Sequence, residues 1–346
     1  MFAVVSVVAF IVLIFTLVGV HELGHFASAR LFGIRVNEFG FGFPPRLWSR
    51  ARGDTIYSIN AIPLGGFVRM SGENGEVEGP WSFGAKPAWQ RAVVLCAGAF
   101  MNLLMALVLF FLVYTIAPIP VDQPRVSLVQ TNSPAAQVLQ LGDVITAVNG
   151  TSTATQTDVQ DQIACSIGRP TVLTIDRHGQ QLTRTVVPRA NPPLGQGRVG
   201  FQGTIGSTGT DGASALVQSL HQPGDFVQSI VHLFSQHTCN PAAGGVTGPV
   251  GIARITGDAA NAVPVYGAGP VLYLAALISM NLAFVNILPF PALDGGRLLF
   301  VIIGVARRKR VSARREGLIH LVGMAMLLCF VFAVSAHDIG QWLSGK

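Results

Sequence analysis

The sequence predicts an α-helical membrane protein with about four transmembrane helices, a cytoplasmic β-hairpin and an inserted, extracytoplasmic β-rich domain. Half of the 346 residues are hydrophobic and only 12% are charged, whereas soluble domains carry about 25% charged residues. This composition excludes an ordinary soluble enzyme and a disordered chain. The apolar residues cluster into four nearly uncharged runs, and basic residues flank these runs. Together these observations favour several crossings of a lipid bilayer.

Four spans are predicted from the uncharged runs. The first covers about Phe2–Ala29, the second about Ala92–Ala117, the third about Val271–Ile287 and the fourth about Gly317–Ala336. Each exceeds or approaches the ~20 residues that cross ~30 Å of hydrocarbon. No Lys or Arg precedes Arg30, so the first run lacks the basic region of a cleavable signal peptide and is expected to remain as a span.

The distribution of basic residues predicts the orientation. Residues 30–91 hold eight Lys or Arg and residues 297–315 hold seven, whereas the whole stretch 120–270 holds seven. Basic loops stay in the cytoplasm, so both termini are expected outside it, in a multi-pass protein of the plasma or inner membrane. Each basic cluster adjoins a span, so we expect contact with the lipid bilayer and no nucleic-acid partner.

Two segments between the spans have β-strand patterns. In the cytoplasmic loop 30–91, Thr55–Ile59 and Phe67–Met70 are short β-like runs joined through glycines, which predicts a hairpin. A turn is expected before it, at residues 40–45. Residues 126–130, 143–148, 172–176 and 183–187 are further strand candidates separated by Asn-Gly and His-Gly turn signals.

The predicted organisation therefore has four parts. Residues 1–119 form the first part of the membrane core, and residues 120–205 form the β-rich domain. Residues 206–269 are a linker, rich in Gly, Ser and Thr from 203 to 220, followed by a membrane-surface segment with weak helical periodicity. Residues 270–346 form the second part of the membrane core.

The end of the first span carries a metal-binding pattern. His21 and His25 lie at i and i+4 of a helix, so both imidazoles lie on one side and can bind a single Zn²⁺. Glu22 lies beside them, where it can take a proton from a metal-bound water. Ionisable side chains are costly in a membrane and are usually functional there. The alternative is a pair of structural histidines that hydrogen-bond to neighbouring helices.

Asp294 is the candidate for a third ligand because of its expected depth. The 19 residues Phe2–Val20 rise ~28 Å as a helix, which places His21 near the cytoplasmic side. The third span enters from outside and reaches a similar depth before Pro289 and Pro291 end its helix. Non-helical backbone at that depth must be buried in protein or line a wet cavity. The alternative for Asp294 and the two glycines after it is a plain turn.

Five motifs follow one another along the chain. They are His21–His25, Pro63–Val68, Gly98–Asn102, Gly248–Ile252 and Asn286–Gly296. In these motifs the chain resembles the site-2 protease family of intramembrane zinc metalloproteases, in the bacterial branch that has one PDZ-like domain between the second and third spans. The resemblance covers nearly the whole chain, and it implies that the β-rich domain is PDZ-like.

The resemblance implies a reaction and a site. A peptide bond in the transmembrane segment of a single-span membrane protein, such as an anti-sigma factor or a signal-peptide remnant, is hydrolysed as the second cut of regulated intramembrane proteolysis. Zn²⁺ is held by His21, His25 and Asp294 near the cytoplasmic side, and Glu22 is the general base.

The resemblance also points to residues that bind substrate. An unwound substrate helix needs backbone partners, which the predicted hairpin can offer by strand addition. Asn102 and Asn286 are expected to bind the substrate backbone or the developing oxyanion, with hydrogen bonds between helices as the alternative. The substrate-binding candidates in the hairpin are Thr55, Ile56, Tyr57, Ser58, Ile59, Gly65, Gly66 and Phe67.

Two other classes of function stay open on the sequence. A transporter or ion conductor could use an intramembrane metal or proton site, but it requires polar residues along a whole path through the spans. A non-catalytic scaffold could bind partners through its PDZ-like domain, but it needs none of the four site residues.

The cysteines and the remaining histidines lead to three further expectations. Cys165 and Cys239 could form a disulfide in the extracytoplasmic region, whereas Cys96 and Cys329 fall in apolar runs and are expected to be buried thiols. The other six histidines, His320 among them, show no partner spacing and are expected to be structural or solvated.

Overall fold

The computed structural model describes residues 2–73, 79–116, 120–153, 156–193, 197–207, 212–235, 248–309 and 311–343. The chain forms two compact units. The membrane unit comprises Met1–Val113 and Thr247–Lys346, and the β unit comprises Tyr114–Val246. Cys239 lies outside the described residues.

Two short 3₁₀ helices lie at Phe83–Ala85 and Pro134–Gln137. The longer elements are α1 (Phe2–Leu31), β1 (Val36–Arg52), β2 (Thr55–Met70), α2 (Ala88–Ile116), β3 (Pro120–Val129), β4 (Val144–Val148), β5 (Thr151–Ser152), α3 (Gln156–Ala164), β6 (Thr171–Arg177), β7 (Gln180–Val186), β8 (Phe201–Ser207), α4 (Gly212–Ser235), α5 (Pro249–Tyr266), α6 (Gly269–Ile287), α7 (Asp294–Ala306) and α8 (Ala313–Leu343).

Four helices of the membrane unit, α1, α2, α6 and α8, are long and apolar enough to cross a bilayer, counted over the part of the chain that is described. The four predicted spans are thus confirmed as apolar helices of sufficient length at the expected places in the chain. Many of their apolar side chains face outward, such as Val12 at 60% and Phe332 at 72% exposed, as expected where lipid is the solvent. The expectation of buried thiols is wrong, because Cys96 is half-buried and Cys329 is exposed.

The segment after α6 differs from the prediction. Asp294 and the two glycines after it do not form a plain turn but begin the helix α7, which occupies part of the expected cytoplasmic loop. Both glycines are needed for the close approach of backbone. A Cβ at Gly295 would collide with the carbonyl oxygens of Ile287 and Leu288, and one at Gly296 would collide with that of Phe290. Glycine therefore marks tight packing here rather than the end of a helix.

The expected hairpin is part of a larger sheet formed by β1 and β2, which pair with each other along their whole lengths and both bend. In the resulting order, residues 66–70 lie at one edge, followed by 36–41, then 55–60, and then 46–52 at the other edge. The turn expected at residues 40–45 therefore lies within β1. The two halves of β2 do not pair with each other, because each pairs with β1.

A buried carboxylate holds this sheet together. Glu38 is only 3% exposed, and it accepts hydrogen bonds from Arg46 at 2.6 Å, Ser58 at 2.7 Å and Arg69 at 3.3 Å. The three donors come from three different segments of the sheet. A buried charge needs such partners, so Glu38 ties the bent strands into one structure.

Asp338 binds the motif Gly248–Ile252 at the start of α5. Its carboxylate, on α8, accepts the backbone N–H groups of Gly248 and Gly251, both at 3.0 Å. These are N–H groups that the first turn of a helix leaves without partners, and a negative charge is favourable there. The motif Gly248–Ile252 thus joins α5 to α8 within the membrane unit.

The β unit is built on an antiparallel sheet with the strand order β7-β6-β4-β3-β8 and with β5 beside β4. Its core is formed by fully buried residues of β4, α3 and β6, such as Ile145, Val159 and Leu173. The four strand candidates are the strands β3, β4, β6 and β7. The prediction of a linker at residues 203–220 is wrong, because β8 and the start of α4 lie in this stretch.

One ion pair and one disulfide lie in the β unit. Arg177 donates to both carboxylate oxygens of the buried Asp143, at 2.7 and 2.8 Å. Cys165 is disulfide-bonded, and its pairing with Cys239 stays a prediction.

Candidate metal centre

Three side chains from distant parts of the membrane unit meet in one cluster. His21 and His25, one turn apart on α1, have their Nε2 atoms 3.2 Å from each other. Asp294, at the first position of α7, has its Oδ2 atom 3.0 Å from His21 Nε2 and 3.2 Å from His25 Nε2. Among the described residues, this is the one group of His, Cys, Asp and Glu with the geometry of a metal site.

The triangle of ligand atoms fits a zinc ion. Nitrogen and oxygen ligands lie at about 2.0–2.2 Å from zinc, so neighbouring ligands of a tetrahedral site are about 3.3 Å apart. The three observed separations of 3.0–3.2 Å are close to that value. Both histidines are buried, at 8% and 6% exposure, while the Asp294 side chain keeps 24%. Three protein ligands with one more accessible side are the arrangement of a catalytic zinc site.

The outer nitrogen of each histidine also has the partner that a zinc ligand needs. His25 Nδ1–H donates to the Val94 carbonyl at 2.8 Å, which leaves the Nε2 lone pair for the metal. The Asn102 Nδ2 atom lies 3.4 Å from His21 Nδ1, while Asn102 Oδ1 is buried without a hydrogen-bond partner among the described residues. When Nε2 is the ligand, Nδ1 carries the proton, so the Asn102 amide has to be turned by 180° to bring Oδ1 to this nitrogen as the acceptor. The Val94 carbonyl and the Asn102 amide of α2 thus orient the two imidazoles on α1.

Gly98 on α2 makes room for both imidazoles. A Cβ at this position would collide with His25 Nε2 and would lie 2.7 Å from His21 Nε2. Any larger residue therefore has to displace α2 or rotate the two rings. The sequence placed Gly98 in a motif but gave no reason for it, because the reason is a contact between two helices.

The substrate-binding candidates in the sheet fall into two groups, one in an interior segment and one at an edge. Thr55–Ile59 is an interior segment that pairs with 38–41 on one side and with 48–52 on the other, so its backbone has no free edge for another strand. The prediction of strand addition to Thr55–Ile59 is wrong for this reason. In the recorded pairings of the described residues, the segment 66–70 has a strand on one side only.

Of the two free edges of the sheet, 66–70 and 46–52, the segment 66–70 lies beside Glu22. A Cβ at Gly66 would be 3.1 Å from Glu22 Cγ and 3.2 Å from Val18 Cγ1, and the Val68 backbone faces the Glu22 carboxylate. Of the candidates, Gly66 and Phe67 thus belong to the segment next to the site, and Gly65 directly precedes it.

The two asparagines occupy different environments. Asn102 is completely buried, its backbone carbonyl accepts from Ser279 Oγ at 2.8 Å, and its amide faces His21. Its position favours orientation of a ligand over contact with substrate. Asn286 is half-buried in the last turn of α6, before the loop that leads to Asp294.

An ion pair that the sequence did not predict connects the sheet to α7. Arg297, one turn after Asp294, pairs with Glu73, and Glu73 also accepts the backbone N–H of Met70 at 3.1 Å. The end of the edge segment and the helix that begins with Asp294 are therefore joined. No sequence spacing links these two residues, because they are more than two hundred positions apart.

Comparison with known proteins gives consistent results along the chain. The sequence profile of Peptidase family M50 matches residues 9–330. A protein of Clostridium perfringens is 34% identical over 98% of both chains. The zinc metalloprotease RasP of Geobacillus kaustophilus is 30% identical over 97% of this chain and 98% of its own. The regulator of sigma-W protease RasP of Bacillus subtilis is 28% identical over 96% of this chain and 98% of its own.

Among solved structures, the PDZ domain of an SdrC-like protein of Listeria monocytogenes matches at 23% identity and a TM-score of 0.21. This match covers 24% of this chain and 87% of the PDZ chain.

These findings define a class and then a family. Four helices of membrane-spanning length and a cluster of two histidines and one aspartate describe a membrane protein with a candidate metal centre. The match over most of the chain shows that this protein belongs to Peptidase family M50. It is a multi-pass membrane protein and an intramembrane zinc metalloprotease, like the relatives so named, and its cofactor is Zn²⁺.

Proposed function

We propose that this protease holds its zinc with His21, His25 and Asp294 and cleaves peptide bonds within the transmembrane segments of single-span membrane proteins. The observation that carries the proposal is the triangle of three ligand atoms 3.0–3.2 Å apart, two of which lie on a helix long enough to span the bilayer. Zinc in such a site polarises a water and the scissile carbonyl. Two imidazoles and one carboxylate leave a fourth position for this chemistry.

Glu22 is the proton carrier of the proposed reaction. It neighbours His21 in the chain and is half-buried beside the free edge of the sheet. Its carboxylate takes a proton from the attacking water and delivers it to the leaving amine. Val94 and Asn102 keep the imidazoles in the orientation the metal requires, so the catalytic groups need little rearrangement during the reaction.

The edge segment 66–70 is the proposed substrate platform. A transmembrane helix must unwind before its peptide bonds can be attacked, and each freed backbone group costs several kcal/mol in hydrocarbon unless it finds a partner. The free edge beside Glu22 offers such partners by strand addition. Gly66 has no side chain there, so the edge segment lies directly against Glu22 and Val18 of α1. Asn286 is a further candidate for binding the substrate backbone.

The orientation follows from the basic loops. On this basis we propose that both termini lie outside the cytoplasm, that the site lies near the cytoplasmic side of the plasma or inner membrane, and that the β unit is PDZ-like and extracytoplasmic. The disulfide at Cys165 supports an oxidising compartment for this unit. The name of the Bacillus subtilis relative includes regulation of sigma-W, and we propose anti-sigma factors or signal-peptide remnants as substrates, cut after a first cleavage outside.

The proposal is tested with purified full-length protein and a reporter transmembrane substrate. Glu22→Gln should retain about one zinc per chain and lose cleavage, whereas His21→Ala and Asp294→Ala should lose both. Leu23→Ala, at a neighbouring and 47% exposed position, is the matched control and should keep both. Full cleavage by Glu22→Gln, or zinc retention by Asp294→Ala, would contradict the assignment.

A further inference from the structure

The loop that carries Asp294 into the site contains a strained turn. Residues 290–293 form a turn closed by the bond from Leu293 N–H to the Phe290 carbonyl at 3.2 Å. Pro291 is the second residue of this turn and Ala292 the third. Ala292 has φ of 81°, in the left-handed region that favours glycine. Proline followed by a residue of positive φ is the pattern of a type II turn, in which an alanine at the third position is unfavourable.

A histidine on the last helix compensates for this conformation. The N–H of the third residue is not used by the turn itself, and here it donates to His320 Nδ1 on α8 at 2.9 Å. A backbone N–H can only donate, so His320 Nδ1 is unprotonated and the ring is the neutral Nε2–H tautomer. The ring also contacts Phe300 of α7 edge-on, with centroids 5.5 Å apart. His320 therefore contacts both the turn and the helix that follows it.

α8 also contacts the turn at a second position. Gly323 lies almost one helical turn after His320, and a Cβ there would be 2.8 Å from the Pro291 carbonyl oxygen and would collide with the Pro291 ring. The glycine lets α8 lie directly on the turn, and this close approach brings His320 within hydrogen-bonding distance of Ala292.

We propose that His320 is a positioning residue of the zinc site: it holds the Ala292 N–H, fixes the turn and thereby keeps Asp294 Oδ2 in line with the two imidazoles. The proposal rests on the ligand set proposed above. Asp294 follows Ala292 by only two residues, so a change in the turn moves the start of α7. Displacements near 1 Å are enough to impair a catalytic site by about 100-fold.

The test compares two polar substitutions that place the acceptor differently. In His320→Asn the side-chain oxygen occupies nearly the position of Nδ1, whereas in His320→Gln it reaches toward the position of Nε2. We expect His320→Gln to lose zinc to a competing chelator with an affinity about 10- to 100-fold lower, the usual effect of removing such a partner. His320→Asn should stay close to the parent protein. Hydrogen exchange at the Ala292 amide should accelerate in His320→Gln only.

A rescue variant and a control complete the experiment. Ala292→Gly relieves the strain at positive φ and should restore part of the zinc affinity of His320→Gln. Leu318→Ala, 61% exposed on the same turn of α8, should change neither zinc affinity nor exchange. Equal zinc affinity in parent, His320→Asn and His320→Gln would overturn the positioning role, as would equal losses in both variants. Zinc retention by Asp294→Ala, measured in parallel, would instead overturn the ligand set.

Discussion

Substitution of Gly98 by alanine is a small change that tests the packing of α2 against the metal site. The added Cβ would lie 2.7 Å from His21 Nε2 and 2.6 Å from His21 Cε1. Contacts between non-bonded heavy atoms are comfortable at about 3.5 Å or more, so α2 or the rings have to move by about 1 Å. Overpacking of this kind costs about 1–3 kcal/mol. Because the ligand atoms themselves are displaced, we expect the loss to fall on zinc affinity and cleavage.

The assay measures zinc content, zinc affinity by chelator competition, and cleavage of a transmembrane reporter. Gly98→Ala should lower zinc affinity by at least about tenfold and cleavage by about 100-fold, while the protein remains folded. The matched control is Gly340→Ala on α8, where a Cβ meets no atom within 4 Å and alanine is a better helix former than glycine. If Gly98→Ala binds zinc as tightly as the parent, the close packing of α2 on the imidazoles does not shape the site.

Two further predictions concern the sheet edge and the β unit. Val68→Pro removes the edge N–H that faces Glu22 and should lower kcat/KM for a transmembrane substrate about tenfold, as expected for one lost hydrogen bond. Val68→Ile keeps this N–H and a buried apolar side chain at the 8% exposed position, and it should behave like the parent. Equal kcat/KM values in all three proteins would reject strand addition at this edge. Burial alone would raise the pKa of Asp143, but the hydrogen bonds from Arg177 and the Gln140 N–H, with the Arg177 charge, hold that pKa below its usual value. A carboxyl group whose pKa is lower in the folded state stabilises the fold when ionised, so its contribution is full above about pH 5 and is lost as the pH falls below about 4. Hydrogen exchange of the β4 amides, measured in the full chain and corrected for intrinsic rates, should show this loss of stability at low pH in the parent. Asp143→Asn should have a flatter pH profile. Identical profiles in the two proteins would contradict the role of the Asp143 charge.

The parts of the site that lie in local patterns could be predicted from the sequence. The spacing of His21 and His25 depends only on helix geometry, and the place of Asp294 followed from equal depths of two oppositely directed spans. Both arguments use the known rise of a helix and the thickness of the bilayer, so they needed no knowledge of packing.

The parts that depend on packing could not be predicted in this way. The glycines and prolines at 40–45 are turn signals, yet β1 continues through them because the sheet bends there and pairs on both sides. Asn102 was open to two interpretations, and only its burial beside His21 favours orientation of a ligand. His320 carried no spacing signal at all, since its partner is a backbone N–H in a distant turn.

X-ray absorption at the zinc edge of the purified, zinc-loaded protein tests the central claim most directly. Two imidazoles and one carboxylate predict nitrogen and oxygen neighbours at about 2.0–2.2 Å, the outer-shell signature of two imidazole rings, and no sulfur at about 2.3 Å. Asp294→Ala should lose this spectrum together with the bound metal. Two results would contradict the account. One is a sulfur neighbour of the zinc, for which Cys96 on α2 would be the first candidate, and the other is an unchanged spectrum in Asp294→Ala.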